Sequence, residues 1–112
     1  MKTTFATTPD PQLLEDLVRR IVEVVHPQRI ILFGSAAREE MGPNSDLDIL
    51  VIVPDGTSKK ESTQKIYMNM LGFGFAKDII VATMGDIVMH ASNPYLVYKQ
   101  ALKEGKVLYN VA

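Results

Sequence analysis

Ile30-Ile31-Leu32-Phe33 is an unbroken apolar run that stops at Gly34-Ser35. A run this short and this uniformly apolar reads as a strand covered on both faces, which forces a sheet with other elements packed on it. A second strand is expected from Asp46 to Val53, ended by the turn signal Pro54-Asp55-Gly56, and a third from Phe75 to Ala82. Val107-Leu108-Tyr109 is long enough for a final short strand.

Helical patterns lie between these runs. Asp10-Pro11 reads as an N-cap followed by proline at the first helical position. Leu14, Leu17, Val18, Ile21 and Val25 then recur at helical spacing, predicting an amphipathic helix over Pro11 to Val25, ended by His26-Pro27. Ala36 to Glu40 is a helix-forming stretch broken by Met41-Gly42-Pro43-Asn44-Ser45. Ser58-Lys59-Lys60-Glu61 fits a capping box that opens a helix closed at Gly72. Thr83 to Ala91 is expected to be a short helix, and Asn93-Pro94 to open another that closes at Gly105. The fold class expected is α/β (α+β): a small mixed sheet with helices packed on it.

The 112 residues are expected to form one domain spanning 1–112. A core of this size buries a modest amount per residue, so a homo- or hetero-oligomer is expected. With 12 basic and 13 acidic residues the net charge is −1, unlike the basic excess of proteins that grip long nucleic acids. There is no cysteine, which excludes disulfides, thiolate zinc sites and cysteine nucleophiles. The N-terminal residues lack the apolar core of a signal peptide, and no apolar run approaches membrane-spanning length. A cytoplasmic protein without a membrane partner is expected.

Three features carry possible chemistry. Asp46 and Asp48, two apart on the expected strand, would project from one face with Cα atoms roughly 6.5 Å apart, a spacing that lets carboxylates converge on hard cations. Leu50 and Ile52 continue that face, so it changes from charged to apolar at the mouth of the strand. Taken alone, an Asp-x-Asp is more often a solvated loop. Gly34-Ser35 joins a strand to a helix, where backbone N–H groups and the positive helix end can receive a phosphate, with the Ser35 hydroxyl donating to it. It can also be a plain capped turn. Asp78 lies among Ile79, Ile80 and Val81, where an unpaired buried carboxylate would need a cation, a salt bridge or an edge position. There is no P-loop Gly-Lys-Ser/Thr, Gly72-Phe73-Gly74 lacks the third glycine of a dinucleotide fingerprint, and His26 and His90 fit no ligand spacing.

Taken together, Gly34-Ser35, ten intervening residues, Asp46-Leu47-Asp48 and Asp78 on the following strand resemble the signature of the minimal nucleotidyltransferases of the DNA polymerase β superfamily. Lys103-Glu104-Gly105-Lys106-Val107-Leu108-Tyr109 is also similar to the end of such domains, so the resemblance spans about Leu14 to Tyr109. Two positions depart from it: Ala36 stands where many members carry a second basic residue, and Glu39 where many carry glycine.

The resemblance implies transfer of a nucleoside monophosphate, AMP from ATP, to a hydroxyl. Asp46 and Asp48 would bridge two Mg²⁺ ions, Asp78 would complete one metal site and help activate the attacking hydroxyl, and Gly34, Ser35 and Arg38 would contact the triphosphate. Magnesium suits oxygen ligands and phosphates, and paired metals suit an in-line displacement. Stand-alone domains of this kind resemble antitoxins that modify a HEPN-type toxin with AMP, which makes a partner protein the expected acceptor and nucleic acid an unexpected one. The alternatives are a module that neutralises its partner by docking alone, and a small-molecule (antibiotic) nucleotidyltransferase. The motif names neither the acceptor nor the base.

Overall fold

The structure, a computed structural model, describes residues 7–90 and 97–111. Asp10 caps the first helix, α1 (Pro11–Val24), by accepting from the Gln12 N–H at 2.9 Å, with Pro11 at the start as the sequence implies. Strand β1 (Arg29–Phe33) runs directly into a four-residue helix, α2 (Gly34–Ala37), and strand β2 (Leu47–Val53) follows. Helix α3 (Lys59–Met68) is capped by Ser58, whose hydroxyl accepts from the Glu61 N–H at 3.2 Å. Strand β3 (Lys77–Thr83), helices α4 (Met84–His90) and α5 (Val97–Glu104), and strand β4 (Lys106–Asn110) complete the order. The sequence of element types matches the expected one throughout. The Asn93-Pro94 opening of the last helix lies outside the described residues.

The strands form one mixed sheet in the order β3-β2-β1-β4, with β1 antiparallel to both neighbours and β2 parallel to β3. Alternation of side chains across β1 and β2 divides the core in two. Leu32, Leu47, Ile49, Val51 and Val53 pack with Leu17 and Ile21 of α1 and Ile66 of α3. Ile31, Phe33, Leu50 and Ile52 pack with Ile87 of α4 and Ala101 of α5 on the opposite side. Covering both faces explains why the central strands read as continuous apolar runs rather than alternating ones. No helix among the described residues is long and apolar enough to cross a membrane.

Several boundaries differ from expectation by one residue or more, three of them for a visible reason or by the widest margin. The α2 helix begins at Gly34 rather than Ala36 and ends at Ala37, because Glu39 takes a left-handed backbone (φ 61°) that no helix continues through. Helix α3 ends at Met68, ahead of Gly72, where Arg20 of α1 donates to the Asn69 and Leu71 carbonyls at 3.1 and 2.8 Å and so satisfies the groups that follow the helix. Strand β3 begins at Lys77, two residues after Phe75.

Candidate functional site

Three segments meet at the end of β1 and the start of β2. Gly34 has φ 72° and is buried, and a Cβ placed on it would fall well under 3.0 Å from Asp48 Oδ2, inside any real contact distance. Only glycine satisfies both conditions, so the turn backbone and the Asp48 carboxylate touch because residue 34 has no side chain. Ala36 and Ala37 bury themselves in the core and Ser35 is half-buried, which leaves Arg38 as the first exposed residue after the turn. A helix of one turn has little macrodipole, so any anion attraction here rests on individual N–H groups and Arg38 rather than on the helix end anticipated from sequence.

The aspartates are arranged differently from the expected pair on one strand. Pairing of β2 with β3 starts at Leu47, and the Gly42–Ser45 turn, with the Gly42 N–H on Ser45 Oγ at 2.8 Å, takes the residues before it. Asp46 therefore lies one residue before the strand and is exposed, while its charge still acts on Asp48. The carboxylate that shares a strand face with Asp48 is Asp78, its register partner across the parallel β2–β3 pair. Adjacent strands put such partners about 4.8 Å apart at Cα. Asp78 is exposed, on an outer strand of the sheet, so the burial cost anticipated for it from its apolar neighbours does not arise. Along both strands the shared face turns apolar further on: Leu50 and Ile52 follow Asp48, and Ile80 and Ala82 follow Asp78.

Asp48 is half-buried. Its burial, then the negative charges of Asp78 and Asp46, push its carboxyl above the usual carboxylate range, with the Arg38 guanidinium opposing them. Among the described residues no three His, Cys, Asp or Glu side chains form a group that could hold a metal ion by themselves. Magnesium does not need one: it is commonly held by one or two carboxylates with waters and substrate phosphates filling the remaining positions. A half-buried carboxylate raised by two like charges is relieved by a divalent cation, so the residues fit an ion shared with a triphosphate rather than a closed protein cage. A groove of about 560 Å³ between α1 and β4, lined by Leu14, Val18, Val22 and Val107, contains none of these residues.

A family model for the nucleotidyltransferase domain matches residues 12–107. The chain belongs to that family. The nucleotidyltransferase resemblance read from the Gly-Ser turn and the aspartates is therefore correct, and the activity of the family is nucleotidyl transfer. No match was found among curated proteins. Among solved structures, a toxin–antitoxin complex with AMP-PNP aligns at a TM-score of 0.62 and 22% identity, over 88% of this chain and 73% of that one. A protein from Sulfolobus solfataricus described as a nucleotidyltransferase aligns at 0.60 and 19%, over 88% and 78%. A complex of a tri-AMPylated Shewanella oneidensis HEPN toxin with its MNT antitoxin aligns at 0.53 and 19%, over 89% and 71%. These likenesses establish the nucleotidyltransferase fold of the domain.

Sequence reasoning noted Glu104 and Lys106 in the closing motif but gave them no role at the turn after α2. Glu104 Oε2 lies 3.6 Å from Arg38 Nη1, and Lys106 Nζ lies 3.3 Å from Glu39 Oε1. Gly105 between them has no room for a side chain: a Cβ would fall under 3.0 Å from the Ala101 carbonyl and Ile31 Cγ2 and 3.1 Å from the Leu32 carbonyl. The glycine brings the α5–β4 junction against β1, and its charged neighbours reach the turn after α2. The motif around Gly105 was visible in the sequence, but nothing there placed it beside Arg38.

Proposed function

We propose that this nucleotidyltransferase domain moves AMP from ATP, with Mg²⁺, to a hydroxyl of a partner protein of the HEPN-toxin kind. The observation that carries the reading is the contact between the Gly34 backbone and the Asp48 carboxylate, which sets a turn suited to phosphate directly against the half-buried acid. Gly34, Ser35 and Arg38 contact the triphosphate: the first by close backbone approach, the second through its hydroxyl, the third by charge. Asp46, Asp48 and Asp78 are the residues that would hold magnesium together with phosphate oxygens, and the chemistry it would supply is neutralisation of the triphosphate charge. Asp78, exposed at the outer strand, takes the proton of the acceptor hydroxyl. The acceptor oxygen bonds to the α-phosphorus as the bond from that phosphorus to the pyrophosphate oxygen breaks. The protein acceptor is supported by fold neighbours that are toxin–antitoxin complexes, one containing AMP-PNP and one an AMPylated toxin.

ATP titration with and without Mg²⁺ tests this. Wild type binds ATP more tightly with Mg²⁺ than with EDTA, and Asp46→Asn/Asp48→Asn loses that difference while keeping its circular dichroism spectrum. Equal behaviour of the two proteins defeats the assignment. A second reading, a module that neutralises a partner by docking alone, is favoured by the position of Asp46, exposed and outside the strand. It requires no Mg²⁺-dependent ATP binding.

A further inference from the structure

Arg38 stands between two carboxylates that the proposed chemistry does not use. Its Nε donates to Glu40 Oε2 at 3.1 Å, and its Nη1 lies 3.6 Å from Glu104 Oε2. Residues two apart on a helix do not face each other. Arg38 and Glu40 meet because Glu39, at φ 61°, reverses the chain between them. Glu104 comes from the last turn of α5, carried there by the tight approach of Gly105 to β1. Lys106, one residue beyond the glycine, reaches Glu39 and ties the same turn from the other side. The α5–β4 junction thus grips the turn after α2 at two consecutive residues.

We propose that Glu104 is a positioning residue, which holds the Arg38 guanidinium beside the Gly34 turn so that it meets the phosphates of the nucleotide already oriented. The inference rests on the reading of Arg38 as a phosphate contact. Two effects of a neighbouring carboxylate oppose each other. It offsets part of the positive charge that attracts phosphate, and it fixes a long side chain that otherwise loses rotamer freedom on binding. The pair is open to water, with 37% and 43% of the two side chains exposed, so the charge offset is screened. The geometric effect acts on a rigid planar fork whose direction matters, and that direction is bounded from two sides, by the Glu40 bond and by Glu104, so it does not require strong attraction from either one. Nε donates to Glu40, Glu104 flanks Nη1 at 3.6 Å without a hydrogen bond, and Nη2 has no ion-pair partner among the described residues. Orientation is therefore the larger of the two effects.

The test is a double-mutant cycle on the full chain with Mg²⁺–ATP as the titrant, read by calorimetry alongside the melting temperature. Glu104→Gln weakens binding about three- to tenfold, and the same change made in Arg38→Ala has no further effect, which is the coupling expected of residues acting through one another. Glu104→Lys weakens binding at least as much, although it adds positive charge near the phosphates. Melting temperatures separate this from loss of fold. Tighter binding by Glu104→Lys, or an equal loss from Glu104→Gln in both backgrounds, overturns the proposal. If Arg38→Ala binds as wild type does, the phosphate role of Arg38 and this inference fall together while the metal site stands. Absence of Mg²⁺-dependent binding by the wild type removes the underlying reading, and the inference with it.

Discussion

The Asp48 carboxylate fills the space that a side chain at Gly34 would need. Gly34→Ala therefore meets two obstacles at once. A left-handed backbone costs a residue with a Cβ about 1–2 kcal/mol. Overpacking against Asp48 adds about 1–3 kcal/mol unless the carboxylate swings away. The expected loss is about 2–5 kcal/mol in a urea titration, accompanied by loss of ATP binding. Valine at this position destabilises the fold at least as much and is a poor probe of the phosphate contact. A melting temperature for Gly34→Ala close to wild type would contradict the packing described.

Asp48 makes a second prediction, with a definite sign. Its folded carboxyl is raised above the ordinary value by burial and by Asp78 and Asp46. Folding therefore favours its protonated form. The resulting stability is fully present below the unfolded carboxyl value, is lost as pH rises through the raised folded value, and leaves a penalty at neutral pH. Asp48→Asn should raise the melting temperature of the metal-free protein at pH 7 and shrink the gain as pH falls below the carboxylate range. A lower melting temperature at pH 7 would instead mean that Asp48 is held by favourable partners.

The strands, the flanking helices and their order were legible because the periodicities are strong and the runs are bounded by glycine, proline and capping residues. Asp10, Ser58 and Gly105 act where the sequence put them. For the candidate site the sequence offered residues and not their arrangement. Asp46 and Asp48 looked like one strand pair because spacing cannot show where hydrogen bonding to β3 begins. For Asp78 the apolar neighbours left a cation, a salt bridge and an edge position all open, and a single sequence does not reveal that its strand is an outer one. The contact of Glu104 with Arg38 was not legible because the two residues are distant in the chain.

Glu39 carries a backbone strain that glycine would relieve. Its φ of 61° costs about 1–2 kcal/mol for an L side chain, against the roughly 0.5–1 kcal/mol that glycine adds through unfolded-chain entropy. The ion pair with Lys106 is exposed and contributes little. Glu39→Gly is expected to stabilise the domain by about 0.5–1 kcal/mol, whereas Glu39→Val, β-branched and poor in this conformation, destabilises it. Chemical denaturation of the two variants measures both signs, and destabilisation by glycine would show that the Lys106 tie outweighs the strain.

Thr83 and Asp86 close a reciprocal cap at the start of α4. Asp86 Oδ2 accepts from the Thr83 N–H at 3.1 Å and Thr83 Oγ1 accepts from the Asp86 N–H at 3.2 Å, while Lys59 Nζ lies 2.8 Å from Asp86 Oδ2. The Lys59 bond first, then the Thr83 N–H, lowers the Asp86 carboxyl to about 2. A depressed carboxyl stabilises the fold above its unfolded value near 3.8, and that contribution disappears as pH falls towards about 2. Asp86→Asn should cost about 1 kcal/mol at pH 7 and almost nothing at the acid end of that window. A loss that does not change with pH would point to the hydrogen bonds alone rather than to the charge.

The last prediction separates transfer from docking. Transfer of AMP adds one nucleotide to an acceptor, so incubation of the domain with a HEPN-type partner, ATP and Mg²⁺ should raise the intact mass of that partner by one AMP for each hydroxyl modified. Asp46→Asn/Asp48→Asn should abolish the gain without abolishing any complex that forms, because Asp46 and Asp78 are exposed and Asp48 half-buried, so none of them holds the core together. If the partner is a toxin, the double variant should also fail to protect cells at normal expression. A docking module behaves in the opposite way: protection survives the double substitution and neither protein adds mass to the partner. Protection by the double variant would end the enzymatic account of this domain's biology, even with ATP bound to the wild type. A mass gain that depends on both aspartates would end the docking account.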